Sequence, residues 1–354
     1  MPVDRCVCHN VTLAQLKAMS TKTTTVDELS ERTNCCTGCG MSRPYVVLML
    51  RIWRPAFFET RKWTMAIYVA LILWWFIPAR WVRQDSGALN VWMLAVGDGT
   101  GTIIELPDGH AMLFDFGTRS PFDASLTANA FIEHRAILKI DTAFVSHANF
   151  DHYGAIPKIH AHAPIQTVVI SDQFEPFVRE NDAAWRFLKS MRDAQVEIDI
   201  VEGSREWTDA SGVRFEIIAP PAKADRAAPS ANDSSLALRL TYQEISILLT
   251  GDQAEWGLGN LIASPDIAAD VLALPHHGSV VHNTRAFIDA VNPMIAIRST
   301  GQDRRMTTNG IEGLVGPDRQ YMSTADSGCV RVRIKNHRVE TTAFINPSQT
   351  DHGS

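Results

Sequence analysis

From residue 89 onward, short apolar or alternating runs recur between polar breaks. Runs with strand character fall at 90–96, 102–106, 111–116, 142–145, 167–170, 215–218, 235–241, 245–249, 271–274, 294–298 and 330–334. Residues 123–138, 181–194 and 285–291 carry apolar positions at helical spacing. Hairpin-spaced strands mixed with helices predict an α/β layered sandwich. Pro220, Pro221 and Pro229 bracket a polar loop, and no internal repeat interrupts the pattern.

The upstream pattern is different. Residues 63–79 read W-T-M-A-I-Y-V-A-L-I-L-W-W-F-I-P-A and carry no charge, with Arg61 and Lys62 before them and Arg80 and Arg83 after. A helix of this length reaches roughly 25 Å, enough to cross a bilayer with snorkelling ends. The run begins too late for a signal peptide, and a core helix of this length would show a polar face. A single membrane span is therefore expected. Arg51, Arg54, Arg61 and Lys62 outnumber the cations that follow, so the positive-inside rule keeps the N-terminus cytoplasmic. Ahead of the span, residues 1–50 are polar and cysteine-rich, with helical patterns at 13–19, 26–32 and 44–51. The chain thus divides into 1–50, a juxtamembrane and spanning segment at 51–83, and a main domain at 84–354.

Composition narrows the picture little. At 354 residues, 45% apolar and 20% charged, the chain can bury a real core. A net charge of −6 argues against a general nucleic-acid coat and leaves room for a local basic groove. Of the six cysteines, only Cys329 lies in the main domain, which excludes a disulfide framework there.

The chemistry concentrates at strand ends. S-H-A-N-F-D-H at 146–152 offers His147, Asp151 and His152, ligands suited to zinc, manganese or iron. L-L-T-G-D at 248–252 ends in Asp252, A-L-P-H-H-G-S at 273–279 carries His276 and His277, and L-F-D-F-G at 113–117 places Asp115 at another strand end. Asp151 and Asp252 are the candidate catalytic carboxylates. A pair of ions would need a bridging carboxylate, for which Asp252 is suited. Asn149 offers only an amide oxygen, a weak neutral ligand or none, and a mononuclear site of Asp151, His152, Asp252 and one of His276 and His277 also satisfies a cation. His160 and His162 follow too soon and read as loop or helix residues. Metal-activated water would attack a phosphorus or carbonyl centre. Asn232, Asp233, Ser234 and Ser235 are candidates to steady the developing oxyanion or to shape a loop. Arg298, Arg304 and Arg305 form either a phosphate-binding cluster or a solvated loop.

These blocks resemble the metallo-β-lactamase superfamily and, within it, the hydrolase domain of the ComEC-like competence proteins. The likeness runs from about residue 89 to 334 and includes V-W-M-L-A-V-G-D-G-T-G at 91–101, S-H-A-N-F-D-H-Y-G-A-I, N-D-S-S-L-A-L-R-L at 232–240, L-L-T-G-D, P-H-H-G-S and Y-M-S-T-A-D-S-G at 321–328. It implies an αββα sandwich holding one or two divalent ions, zinc or manganese, between its sheets, and a phosphodiesterase or nuclease acting on single-stranded nucleic acid or another phosphodiester. Many members carry a third histidine where this chain has Asn149. The superfamily's final histidine precedes a glycine, which favours His277 without deciding between it and His276; His276 could instead orient it or touch substrate. The implied setting is a bacterial inner membrane, with the hydrolase domain in the periplasm.

The front end carries C-V-C at Cys6 and Cys8, then C-C-T-G-C at Cys35, Cys36 and Cys39. Four thiolates can hold zinc or a [2Fe–2S] cluster. The stretch is similar to the bacterioferritin-associated ferredoxin-like [2Fe–2S]-binding domain over about residues 4–50, which implies a cluster and a redox partner. Ser42 stands where that family has its last cysteine, so Cys36 would substitute beside Cys6, Cys8 and Cys39. Two other functions compete with the hydrolase: a di-iron oxidoreductase fed by the cluster, against which the absence of HxExDH speaks, and a binding module without catalysis, suggested by Asn149.

Overall fold

The computed structural model describes residues 5–6, 9–21, 23–37, 43–52, 87–221, 225, 227–301 and 310–344. The chain divides into two units, Met1–Pro78 and Ala79–Ser354.

In the first unit, β1 (Arg5–Cys6) pairs antiparallel with β2 (Val11–Thr12), followed by α1 (Leu13–Met19), α2 (Val26–Thr33) and α3 (Arg43–Ile52). All three helical patterns of the sequence are borne out. Two starts are fixed by capping boxes, Thr12 with Gln15 and Thr25 with Glu28, in which a hydroxyl and the Gln15 amide oxygen or the Glu28 carboxylate accept from orphan amides. Leu16, Leu29, Val46 and Leu50 form the core, and Cys35 is fully buried among them. Of the four cysteines expected to bind a cluster, Cys8 and Cys39 lie outside the described residues, as do the side chain of Cys6 and residues 63–79. Cys36 is half-buried with a left-handed φ of 66°. Among the described residues, no helix is long and apolar enough to cross a membrane.

The second unit is built from two sheets. The eight-stranded sheet contains β3 (Leu89–Met93), β4 (Gly101–Glu105), β5 (Ala111–Phe116), β6 (Ile140–Phe144), β7 (Ile165–Ser171), β8 (Glu197–Val201), β16 (Val330–Lys335) and β17 (Arg338–Ala343), ordered β17-β16-β3-β4-β5-β6-β7-β8. The seven-stranded sheet contains β9 (Arg205–Thr208), β10 (Arg214–Ile218), β11 (Ala237–Tyr242), β12 (Ile245–Leu249), β13 (Val271–Ala273), β14 (Ile295–Arg298) and β15 (Gln320–Ser323), ordered β15-β14-β13-β12-β11-β10-β9. Strand periodicity sorts the side chains into layers. Phe114, Phe144 and Val169 turn inward to meet Phe215, Leu238, Ile247 and Leu249 of the other sheet. Their neighbours Leu113, Ala143 and Val168 turn outward against α4 (Ala124–Arg135), α6 (Ile156–His162) and α7 (Ala183–Asp193). On the far side, Leu248, Leu272 and Ala296 pack beneath α8 (Glu255–Ala263) and α9 (Thr284–Val291). The architecture is the expected αββα sandwich.

Every strand expected from the sequence is present. Besides the short β1–β2 pair of the first unit, the strands without a clear sequence pattern are β8, β9, β15 and β17, the four edges of the two sheets. Each exposes side chains on at least one face, so its apolar signal is diluted. β5, β6 and β7 run parallel, as do β12, β13, β14 and β15, so their C-terminal ends gather functional loops at one edge of the sandwich.

Phe114 is buried at the sheet interface. Phe114→Ala should cost about 3–5 kcal/mol in the denaturant unfolding of this unit. A loss below about 1 kcal/mol would show that the two sheets do not close on this ring.

Candidate metal centre

The centre begins with an irregularity in β5. Against β4, Phe116 faces Gly101 and Phe114 faces Thr102, leaving Asp115 as an extra residue. Its φ is +53°, a region costly for a side chain other than glycine. This is a β-bulge. It lets Leu113 and Phe116 share the outer core while Phe114 enters the inner one, and it releases Asp115 from the alternation. Asp115 is 0% exposed.

A buried carboxylate must be hydrogen-bonded, and Asp115 uses both oxygens. The Ser146 amide donates to Oδ1 at 2.7 Å, and the Ser146 hydroxyl donates to Oδ2 at 2.7 Å. His152 donates from Nδ1 to the same Oδ2 at 2.8 Å. Because the Ser146 proton is directed at Asp115, its oxygen accepts from His147 Nδ1 at 3.0 Å. One acidic side chain thus fixes the tautomers of two imidazoles and leaves each Nε2 lone pair free. Both histidines follow β6, with His152 on the short helix α5 (Phe150–Tyr153).

The opposite wall comes from the second sheet. Gly251, with φ +61°, lets the turn after β12 press against Ser146: a Cβ there would lie 2.6 Å from the Ser146 Cβ. Asp252 follows, its amide donating to the Ser235 hydroxyl at 3.2 Å. After β13, His276 and His277 both adopt left-handed φ, +50° and +53°. This tight turn separates the two imidazoles. His277 turns inward, donating from Nδ1 to the Ser299 carbonyl at 3.1 Å and so keeping Nε2 as an acceptor. Arg298 braces the turn through an Nε hydrogen bond to the His277 carbonyl at 2.8 Å. Arg298 is buried and does not belong to an open surface cluster; Arg304 and Arg305 lie outside the described residues.

Asp151, His152, Asp252 and His277 converge, with ligand atoms all within 4.8 Å of one another, and all four are buried. His152 Nε2 lies 3.2 Å from Asp252, while His277 Nε2 lies 3.5 Å from both Asp151 and Asp252. Arg119 reaches in from the surface to 3.1 Å from Asp151. The Nε2 atoms of His147, His152 and His277 are buried without a hydrogen-bond partner. Each would cost about 1–3 kcal/mol if left so. Three unsatisfied nitrogens around two carboxylates are what a divalent cation satisfies together, so the residues fit the ion the sequence implies. His147 borders this group, its ring centroid 4.2 Å from that of His152.

The electrostatics agree. Burial alone would raise Asp151, but the nearby His277 imidazole and the His152 and Arg119 charges outweigh it and hold the carboxyl at about 2. Asp252 is likewise held well below the usual range: His152 and His277 overcome a desolvation that pushes the other way. Burial would lower His152, yet Asp252 and Asp115 raise it well above its ordinary value. His277 is also raised against burial, by Asp252 and Asp151. Burial and the neighbouring His152 hold His147 well below its usual value.

Of the residues named from sequence, Asp151, His152, Asp252 and His277 come together and His147 adjoins them. Asn149 and His276 stand outside the group, linked to each other. The Asn149 amide donates to Asn232 Oδ1 at 2.7 Å, and Asn232 Nδ2 lies 3.2 Å from His276 Nε2. His160 sits in α6 and accepts from the Ile165 amide, as its helix-or-loop reading implied. The sequence reading did not assign the orienting roles of Asp115 and Ser146 or the reach of Arg119. The signal was present in F-D-F, an acid between two core aromatics.

Asp115→Asn should weaken zinc binding about 10- to 100-fold while leaving the fold intact, measured by competition with a chromophoric chelator. Unchanged affinity would remove Asp115 from this role. Without metal, the Asp151, Asp252 and Asp115 carboxylates favour the protonated forms of His152 and His277 over their ordinary balance. Their contribution to stability is full below about 6.5 and is lost as pH rises through their folded values. Binding a cation must release those protons, so zinc affinity should climb with pH above about 6.5. Calorimetry in buffers of different ionisation enthalpy should detect proton release, and a pH-independent affinity would refute it.

The sequence profile of the metallo-beta-lactamase superfamily matches residues 94–301. ComE operon protein 3 of Bacillus subtilis is 28% identical over 224 residues, covering 62% of this chain and 28% of that protein. Recombination protein 2 of Haemophilus influenzae is 27% identical over 297 residues, covering 82% of this chain and 34% of that protein. This chain therefore spans about a third or less of the length of these relatives. Among solved structures, Igni18, a metallo hydrolase of the archaeon Ignicoccus hospitalis, is 12% identical with a TM-score of 0.41, covering 72% of this chain and 100% of that one. With the profile matching more than half of the 354 residues and the Asp–His group lying at the strand ends of an αββα sandwich, the chain belongs to the metallo-β-lactamase superfamily.

Proposed function

We propose that this protein is a membrane-anchored, metal-dependent phosphodiesterase acting on nucleic acid, with an iron–sulfur accessory domain. One observation carries the hydrolytic reading: four buried ligand atoms from Asp151, His152, Asp252 and His277 gather within 4.8 Å beside imidazole nitrogens that lack partners. Those four residues would hold a divalent ion, zinc or manganese, with His147 available to a second. When bound, such an ion would supply Lewis acidity and lower the pKa of water toward neutrality. The protein's own part is orientation. Asp115 and the Ser299 carbonyl aim the imidazoles, the two sheets exclude bulk water, and Asp151 and Asp252 remain ionised as acceptors. The Asn149–Asn232–His276 chain supplies polar atoms near the group, suited to hold a non-bridging oxygen.

Relatives named for competence and recombination support nucleic acid as the substrate. The uncharged run at 63–79 and its flanking cations support a single span in a bacterial inner membrane, with the N-terminus cytoplasmic and the sandwich periplasmic. Cys6, Cys8, Cys36 and Cys39 support a [2Fe–2S] cluster and a redox partner.

Elemental analysis and hydrolysis of bis-p-nitrophenyl phosphate test this together. The parent should carry zinc or manganese in the sandwich and iron in the front end. Asp151→Ala should lose the former and at least about 100-fold of the activity, and Cys39→Ala should lose only the iron. A parent that takes up no divalent metal, or an Asp151→Ala protein as active as the parent, sinks the hydrolase; iron unchanged in Cys39→Ala sinks the cluster.

A further inference from the structure

Phe150 and Asp151 are neighbours on α5, about 100° apart around a helix axis. Asp151 faces the buried group, and Phe150 faces solvent at 52% exposure. Across from it, Phe122 is 45% exposed. Lone exposed aromatics are ordinary, but these two line the same open cleft of about 300 Å³, together with Thr118, Ser120 and Lys158. Each ring rests on a glycine. A Cβ on Gly154 would come 2.7 Å from the Phe150 ring, and one on Gly97 would come 2.8 Å from the Phe122 ring. The rings are thus pre-placed, and little entropy remains to be lost on binding.

Charge accompanies the rings. Arg119 lies between Thr118 and Ser120, both on the cleft wall, and its guanidinium is half-exposed while touching Asp151 at 3.1 Å. Its remaining donors can take a phosphate oxygen. Lys158 sits on the same wall in a solvent-exposed pair with Asp123 at 2.6 Å, an interaction weak enough to leave the ammonium available. Aromatic faces beside cations along a groove are how single-stranded nucleic acid is held without sequence preference.

We propose that Phe122 and Phe150 form a stacking platform for bases of single-stranded nucleic acid, with Arg119 gripping the phosphate between the platform and the metal-ligand group. The assignment rests on the phosphodiesterase reading and adds to it the residues that would select the substrate: a base must flank the scissile phosphate, and the strand must be unpaired for its face to be reached.

Fluorescence anisotropy of the full chain with an end-labelled oligodeoxythymidylate, in chelator so that no strand is cut, tests the platform. Phe122→Ala and Phe150→Ala should each weaken binding about tenfold, and Phe150→Trp should retain it. An abasic strand of equal length should bind the parent as weakly as thymidylate binds the alanine variants. Equal binding of thymidylate and abasic strands by the parent, no binding of either, or alanine variants indistinguishable from the parent would overturn the proposal. Hydrolysis of methyl p-nitrophenyl phosphate by the zinc-loaded parent keeps the two readings apart. Turnover without base-dependent binding removes the platform and leaves the hydrolase, whereas base-dependent binding without turnover does the reverse.

Discussion

The buried carboxylate of Asp115 organises the centre without belonging to the four-residue ligand group. It takes the Ser146 amide and hydroxyl and the His152 imidazole, and through that hydroxyl it also sets His147. A carboxylate at 0% exposure is tolerable only because every donor around it is committed to it. The bulge that presents it carries a left-handed residue between two core phenylalanines. Strain of this kind persists where the surrounding packing over-determines it, and here the same strand is clamped by aromatic side chains in two separate cores.

The rest of the centre follows from sheet geometry. Two sheets packed face to face let the segments after β6, β12 and β13 meet at one edge, with Asp115 of β5 behind them. Gly251 allows the backbones to close, and the double left-handed turn at His276 and His277 divides two adjacent imidazoles between two environments. One joins the ligand group. The other joins an amide chain that passes through Asn232 to Asn149. Asn149 is therefore more than a missing ligand: its amide ties the metal-ligand loop after β6 to the loop carrying Asn232. Replacing an imidazole with an amide exchanges a metal donor for a group that can donate and accept at once.

Burial and polarity are balanced in opposite ways inside and outside the centre. Inside, two carboxylates and two imidazoles each favour the other's charged form against desolvation. Just outside, the next side chain along α5 is an exposed aromatic. A charged, buried interior thus borders a rim with an exposed aromatic side chain within one residue of the chain.

The sequence by itself determined the layers and pointed to most of the residues that converge in the candidate centre. Interior strands announce themselves because both faces are buried, and all eleven runs read as strands proved to be strands. Asp151, His152 and Asp252 were legible because acids and imidazoles at the ends of apolar runs have few other uses. The edge strands were not legible, since exposure dilutes their pattern. Nor was the choice between His276 and His277, since adjacent identical side chains differ only through the backbone angles of a turn. Asp115 was visible as an acid at a strand end, but its bulge depends on register against β4, a relation between two strands that no single stretch encodes. Tertiary structure alone decided which polar atoms face each other, because hydrogen bonding and desolvation are settled by what lies opposite, across the sandwich, more than by what lies adjacent in the chain.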